Sequence, residues 1–213
     1  LTGTDDNSAK NVRAAQAEAR PTSDFVRARG ERFVELCRAL ELSNDDFLRT
    51  AFDPRHAPAV QALWRACEER GDVYRASYRG NYCVGCEQFY APHELFGDRC
   101  PEHETPLEAV DEQNHFFRLS RHRAGIDRLL SSGALRIWPE VYRGEAYGWV
   151  QAGLTDFSIS RSRERAGGWG IAVPGDPEQI VYVWFDALAN YISALGYGTD
   201  ETAFQQYWLE GAR

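Results

Sequence analysis

Four side chains that favour a soft metal ion stand in two short pairs: Cys83 and Cys86 in Tyr-Cys-Val-Gly-Cys, then Cys100 and His103 in Cys-Pro-Glu-His. The spacing C-x2-C-x13-C-x2-H sets each pair on a tight turn, and two such turns can converge on one tetrahedral Zn²⁺. A Cys3His set fills all four positions, so the expected ion is structural and the activity has to be sought elsewhere. The competing reading, ordinary core thiols, leaves the two matched pairs unexplained. Cys37 and Cys67 fall on helical apolar stripes, and free thiols used in this way point to a reducing, cytoplasmic compartment.

A chain of 213 residues, 43% hydrophobic, can bury a core and fits one domain with an insertion, or two small domains. Its 32 acidic against 24 basic residues, net charge -8, argue against gripping nucleic acid by bulk charge. No apolar run approaches the roughly 18 to 20 residues that span a bilayer, so no membrane partner is expected. The chain opens on Leu1 and contains no Met, which suggests a piece of a longer protein.

The metal loops need a scaffold. Asp5 to Ser8 offer caps for a helix through Lys10 to Ala19, stopped near Pro21. A second helix from Ser23/Asp24 carries Phe25, Phe33, Leu36, Cys37 and Leu40 at helical spacing, so one face should pack inward. A third, with Pro58 in its first turn, repeats Val60, Leu63, Trp64 and Cys67 and ends near Gly71. From Val73 short aromatic and β-branched runs predict a small sheet around the knuckle, with helices through 126–130 and 140–150 beyond it. Ile180 to Phe185 reads as a buried parallel strand, followed by a helix opening at Asp186 with Leu188, Tyr191, Ile192 and Leu195. This order describes an α/β sheet interrupted by a module. His56, His93 and His122 stand in polar contexts and are expected in solvent.

Six segments carry a resemblance: Thr2-Gly3-Thr4-Asp5, Tyr82 to Glu87, Asn114-His115-Phe116-Phe117-Arg118-Leu119-Ser120, Asp156 to Arg161, Trp169 to Asp176, and Tyr182-Val183-Trp184-Phe185-Asp186-Ala187-Leu188. In type and order they resemble class I methionyl-tRNA synthetases, almost end to end. The resemblance implies a partial Rossmann-like nucleotide-binding core interrupted by a zinc-knuckle connective-peptide domain. It divides the chain into 1–72 and 158–213 as core and 73–157 as insertion. It also implies activation of methionine with ATP and Mg²⁺ to methionyl-adenylate, then transfer to tRNA. The family's His-Ile-Gly-His and Lys-Met-Ser-Lys-Ser signatures are not in these residues, so these residues alone are expected to lack activity.

A methionine site needs an anion for the ammonium and an apolar slot for the thioether, whose sulfur is polarisable and hydrogen-bonds weakly. By the resemblance Asp5 supplies the anion, Trp184, Ala187 and Tyr191 line the slot, and Leu188 adjoins them. Trp184 would end the strand, with Ala187 and Tyr191 sharing a face of the next helix. Arg161 corresponds to a family arginine beside the amino acid, where its fork could meet Asp5 or a substrate carboxylate as the catalytic candidate; the bland alternative is a surface ion pair. Lys10 matches a family lysine and is assigned no role, and His115 replaces a frequent Tyr as a packing variant.

One departure stands out. The family usually reads Thr-Gly-Thr-Asp-Glu-His-Gly, whereas Asp6, Asn7 and Ser8 occupy the last three places here, removing a group that titrates near neutral pH. That keeps open a divergent paralogue acting as a non-ligase amino-acid-binding or transfer module. A zinc-knuckle RNA binder is a third reading, disfavoured by the acidic composition.

Overall fold

The computed structural model describes residues 1–86, 88–90, 95, 97 and 99–211, without the side chains of 88 and 89. The expectation placed on His93, and Glu87 of the knuckle motif, lie outside them.

Strand β1 (Thr2–Thr4) pairs in parallel with β2 (Phe47–Arg49), Gly3 opposite Leu48. Parallel partners need a crossover. Helices α1 (Ala9–Ala17) and α2 (Thr22–Ala39) supply it. Gly3 is required at this pairing because a Cβ there would run into the Leu48 carbonyl oxygen. Ser8 caps α1, its hydroxyl accepting from Lys10 N at 3.0 Å, so the cap is Ser8 among the four offered.

Helix α3 (His56–Glu69) leads to an antiparallel sheet ordered β4 (Gln88–Tyr90), β3 (Val73–Cys83), β5 (Glu108–Phe117), β6 (Phe157–Ser158). Helices α4 (Leu119–Ser132) and α5 (Arg143–Ala152) intervene before β6. A second antiparallel sheet sets β9 (Asp176–Val181) between β7 (Ser160–Ser162) and β8 (Ala172–Val173). Two short helices follow, α6 (Val183–Leu188) and α7 (Asn190–Ser193). The largest core joins Val60 and Trp64 of α3 to Ile159, Ile171, Val173, Val181 and Ala189. The Trp64 ring meets His115 and Phe185 edge-on, at 5.3 and 5.8 Å between centroids. The chain is α/β, as its segment order suggests.

Three expectations are corrected. The run read as a parallel strand over 180–185 divides: its first residues end β9, which is antiparallel to both neighbours, and Val183 already begins α6, so Trp184 is helical. The apolar run did not distinguish a strand from a buried helix turn, and Gly175, at φ 77°, closes β8 and β9 into a hairpin. On α2, Phe25 is buried while Phe33, Leu36 and Leu40 are exposed, so only the first half of the helix packs inward. His56 is fully buried, because hydrogen bonds to Asp186 and Ser193 replace its hydration. His122 is half-buried, stacked on Phe117 and 3.3 Å from Asp72.

Candidate functional site

The knuckle grows from the ends of β3 and the turn that follows it. Backbone N–H groups of Cys86 and His103 each point at the first sulfur of their own pair, at 3.4 Å, which aims both pairs inward. Cys86 Sγ lies 3.5 Å from Cys100 Sγ and 3.1 Å from His103 Nδ1, and the four ligand atoms lie within 4.8 Å of one another. Zinc–sulfur bonds of about 2.3 Å give a tetrahedron with edges of about 3.8 Å, so these residues fit a zinc site. Tyr90 donates its hydroxyl to Cys86 Sγ at 3.1 Å, and Gly85 leaves the room that the His103 ring fills. Burial pushes the Cys86 thiol up to about 12. At Cys100 burial acts in the same direction but is outweighed by N–H groups of His103 and Glu102, which bring that thiol down to about 6. Lys10 Nζ donates to Gly85 O at 3.2 Å and Arg13 pairs with Glu108, tying α1 to the metal-bearing sheet.

The other candidate residues stand at two corners, and the hollow that Asp5 lines includes none of Trp184, Leu188 and Tyr191. Asp5 is exposed and lines a hollow of about 220 Å³ with Gly3, Thr4, Asn11, Arg29 and Phe33. Trp184 and Leu188, one turn apart on α6, are 49% and 61% exposed, and Tyr191 on α7 is 54% exposed, while Ala187 is buried. These three form an open apolar surface; Ala187 faces inward and does not share the exposure of Tyr191. The two corners meet through neighbours: Asn7 Nδ2 donates to Asp186 Oδ2 at 2.7 Å, joining the residue two past Asp5 to the residue two past Trp184.

Arg161 is buried rather than part of a solvated ion pair. Its guanidinium lies 4.0 Å over the Tyr182 ring and donates to Ser158 Oγ at 2.8 Å and Ser160 O at 2.7 Å. It borders a small cavity with Asn7, Tyr82 and Trp169. Burial lowers its pKa, which Tyr82, Tyr182 and Glu112 oppose, and an arginine keeps its charge under such a shift. His115 is buried, with Nε2 3.0 Å from Asp176, in keeping with a packing role.

Asp186, His56 and Ser193 are the residues that sequence reasoning passed over. The available signal was a carboxylate inside the apolar run Trp-Phe-Asp-Ala, which when buried demands donors.

Asp6 is also buried, 3.5 Å from Arg49 Nε, and its N–H donates to Thr50 Oγ1 at 2.8 Å. Burial raises its carboxyl above the ordinary value, against the hydroxyl of Thr4, the charge of Arg49 and the N–H of Ala51. A raised folded pKa means the folded state holds the proton more tightly. The contribution of Asp6 to stability is therefore complete below the unfolded pKa and lost as pH rises through the folded one. Asp6→Asn should flatten that part of the stability profile, read by urea unfolding between about pH 3 and pH 6. An unchanged slope would contradict this assignment.

Comparison with known proteins adds the following. The family model described as tRNA synthetases class I (M) matches residues 1–108 and 92–213. The methionine--tRNA ligase of Thermotoga maritima is 38% identical over 212 residues, 98% of this chain and 33% of that protein. The chloroplastic/mitochondrial methionine--tRNA ligase of Arabidopsis thaliana is 38% identical over 196 residues, 92% of this chain and 31% of that one. The crystal structure of Mycobacterium tuberculosis methionyl-tRNA synthetase bound by methionyl-adenylate superposes with TM-score 0.88 at 37% identity, covering 98% of this chain and 41% of that one. The chain thus spans about a third of the length of these ligases.

Proposed function

Because the chain belongs to the class I methionyl-tRNA synthetase family, we propose that the complete protein is a methionine--tRNA ligase, activating methionine with ATP and passing it to tRNA. The observation that carries this reading is the likeness over 98% of the chain to a methionyl-tRNA synthetase bound by methionyl-adenylate, and the Asn7–Asp186 hydrogen bond holds the loop after β1 beside α6. In the proposal Asp5 takes the ammonium of methionine, and Trp184, Leu188 and Tyr191 receive the thioether, with Ala187 as a small residue behind them. Exposure of those three large side chains suits a surface that a ligand covers. Arg161, charged and buried at the adjoining cavity, is the candidate for a contact with developing negative charge on the substrate. ATP, its Mg²⁺ and tRNA enter as co-substrates of the complete protein.

The division into core 1–72, insertion 73–157 and core 158–213 is supported at its start by the antiparallel pairing of β3 with β5, a hairpin from Val73 to Phe117, and at its end by the return of the chain, after α4 and α5, to pair β6 with β5 at Phe157 and Ser158. Within it Cys83, Cys86, Cys100 and His103 would hold a structural Zn²⁺. The non-ligase module is not favoured, since relatives matched over nearly the whole chain bear the ligase name.

Methionine-dependent ATP–pyrophosphate exchange by the complete protein tests this reading. Exchange with methionine and none with leucine is expected. A folded, metal-loaded protein that exchanges equally with both, or with neither, would refute it.

A further inference from the structure

Behind the apolar surface of α6 runs a line of buried polar groups that the proposed chemistry does not use. Asp186, His56 and Ser193 are each fully buried. Asp186 Oδ2 accepts from Asn7 Nδ2 at 2.7 Å, and Oδ1 accepts from His56 Nε2 at 2.5 Å. On its other side the His56 ring reaches Ser193 Oγ with Nδ1 at 2.9 Å. One carboxylate thereby binds the loop after β1, the first residue of α3 and, through His56, the end of α7. Complete burial denies this Asp-His-Ser line contact with a substrate, so it has no nucleophilic use. A carboxylate withdrawn from water persists only where donors occupy its oxygens, and Asn7 and His56 occupy both. Asn7 is also one of the three positions, with Asp6 and Ser8, at which the chain departs from the usual Glu-His-Gly.

We propose that Asp186 is a positioning residue for the amino-acid site. It fixes the helices bearing Trp184, Leu188 and Tyr191 against the Asp5–Ser8 loop, setting the distance between anion and apolar slot that a zwitterionic amino acid with an apolar side chain must span. The inference rests on the methionine reading above. Asn7 is the adapter: its amide donates to the carboxylate without adding a second titrating group.

The test uses the complete protein, with Asp186→Asn and the double variant Asn7→Asp/Asp186→Asn. Asparagine at 186 still accepts from His56 but turns an N–H₂ toward that of Asn7. Aspartate at 7 then accepts it, and the bond returns with reversed polarity. Two readouts are taken: amide hydrogen exchange across 5–8 and 183–193, and Kd for methionine and for ATP. Asp186→Asn should speed exchange in both segments and raise the methionine Kd on the order of tenfold, with the ATP Kd unchanged; the double variant should reverse both. A merely structural role would weaken both ligands together.

Unchanged exchange in Asp186→Asn, or a swap that restores nothing, overturns the proposal. If Asp186→Asn does not fold, Ser193→Ala trims the far end of the line and should speed exchange over 183–193; no change there also overturns it. Should the exchange pattern and its rescue appear in a protein indifferent to methionine, the coupling by Asp186 stands and the methionine reading falls.

Discussion

Removing the metal with a chelator, or changing Cys86→Ser, is expected to unfold the segment around 83–106 while β1, α3, β7 and β9 remain folded. The reason is that the knuckle has a core of its own. Cys83, Tyr90 and Cys100 pack with Cys86, Leu95 and Leu107, apart from the α3 core of Val60, Trp64 and Val181. A cluster that small cannot offset its chain entropy without the ion. Apparent zinc affinities of structural sites are about 10 to 16 kcal/mol, and that free energy is folding free energy for the module that binds it. Amide exchange with and without chelator should show protection lost within the module and retained across α3. The links from α1, Lys10 to Gly85 O and Arg13 to Glu108, are exposed and contribute only about 0 to 1 kcal/mol each, too little to carry unfolding into the core. Loss of protection throughout the chain would contradict this account.

The second large effect concerns the proposed methionine slot. Asp5→Ala in the complete protein should weaken methionine by about 30-fold or more, because removing one partner of a charge pair enclosed on binding costs about 2 to 5 kcal/mol. Trp184→Ala removes an aromatic contact to sulfur of about 0.3 to 1.5 kcal/mol together with the apolar area its ring covers, so a loss of about 10-fold or more is expected. Trp184→Ala also strips the buried half of its ring and should cost on the order of 1 to 3 kcal/mol of stability, whereas Asp5→Ala, at an exposed position, should lower affinity far more than stability. That separation of affinity from stability distinguishes a binding role from a packing one. Calorimetric titration of both variants provides the measurement, and normal affinity in both would remove these residues from the site.

What the sequence made legible was local. Two ligand pairs on tight turns, a capping side chain within Asp5 to Ser8 before α1 and the period of α3 depend on residues a few positions apart, and each is found where the spacing put it. What escaped depends on distant contacts. His56 has the polar setting of a surface residue, yet its partners Asp186 and Ser193 lie 130 and 137 positions away, and only the fold brings them together. The strand expected over 180–185 failed for another reason: a continuous apolar run carries no period, so a turn of buried helix and the end of an antiparallel strand look alike. The second half of α2 shows the opposite error, since Phe33, Leu36 and Leu40 keep helical spacing without finding a core in these residues. For the candidate site, residue types were readable through the resemblance. The device joining the two corners, Asn7 on Asp186, was not, although Asn7 had been singled out as a departure.

A crystal structure of the complete protein with methionine bound tests the central claim most directly. The account predicts the ammonium group within hydrogen-bond reach of Asp5 and the sulfur against Trp184 and Tyr191, with Asp186 still holding Asn7. Methionine seated away from both corners, or an Asp5 carboxylate left facing solvent in the complex, would contradict it.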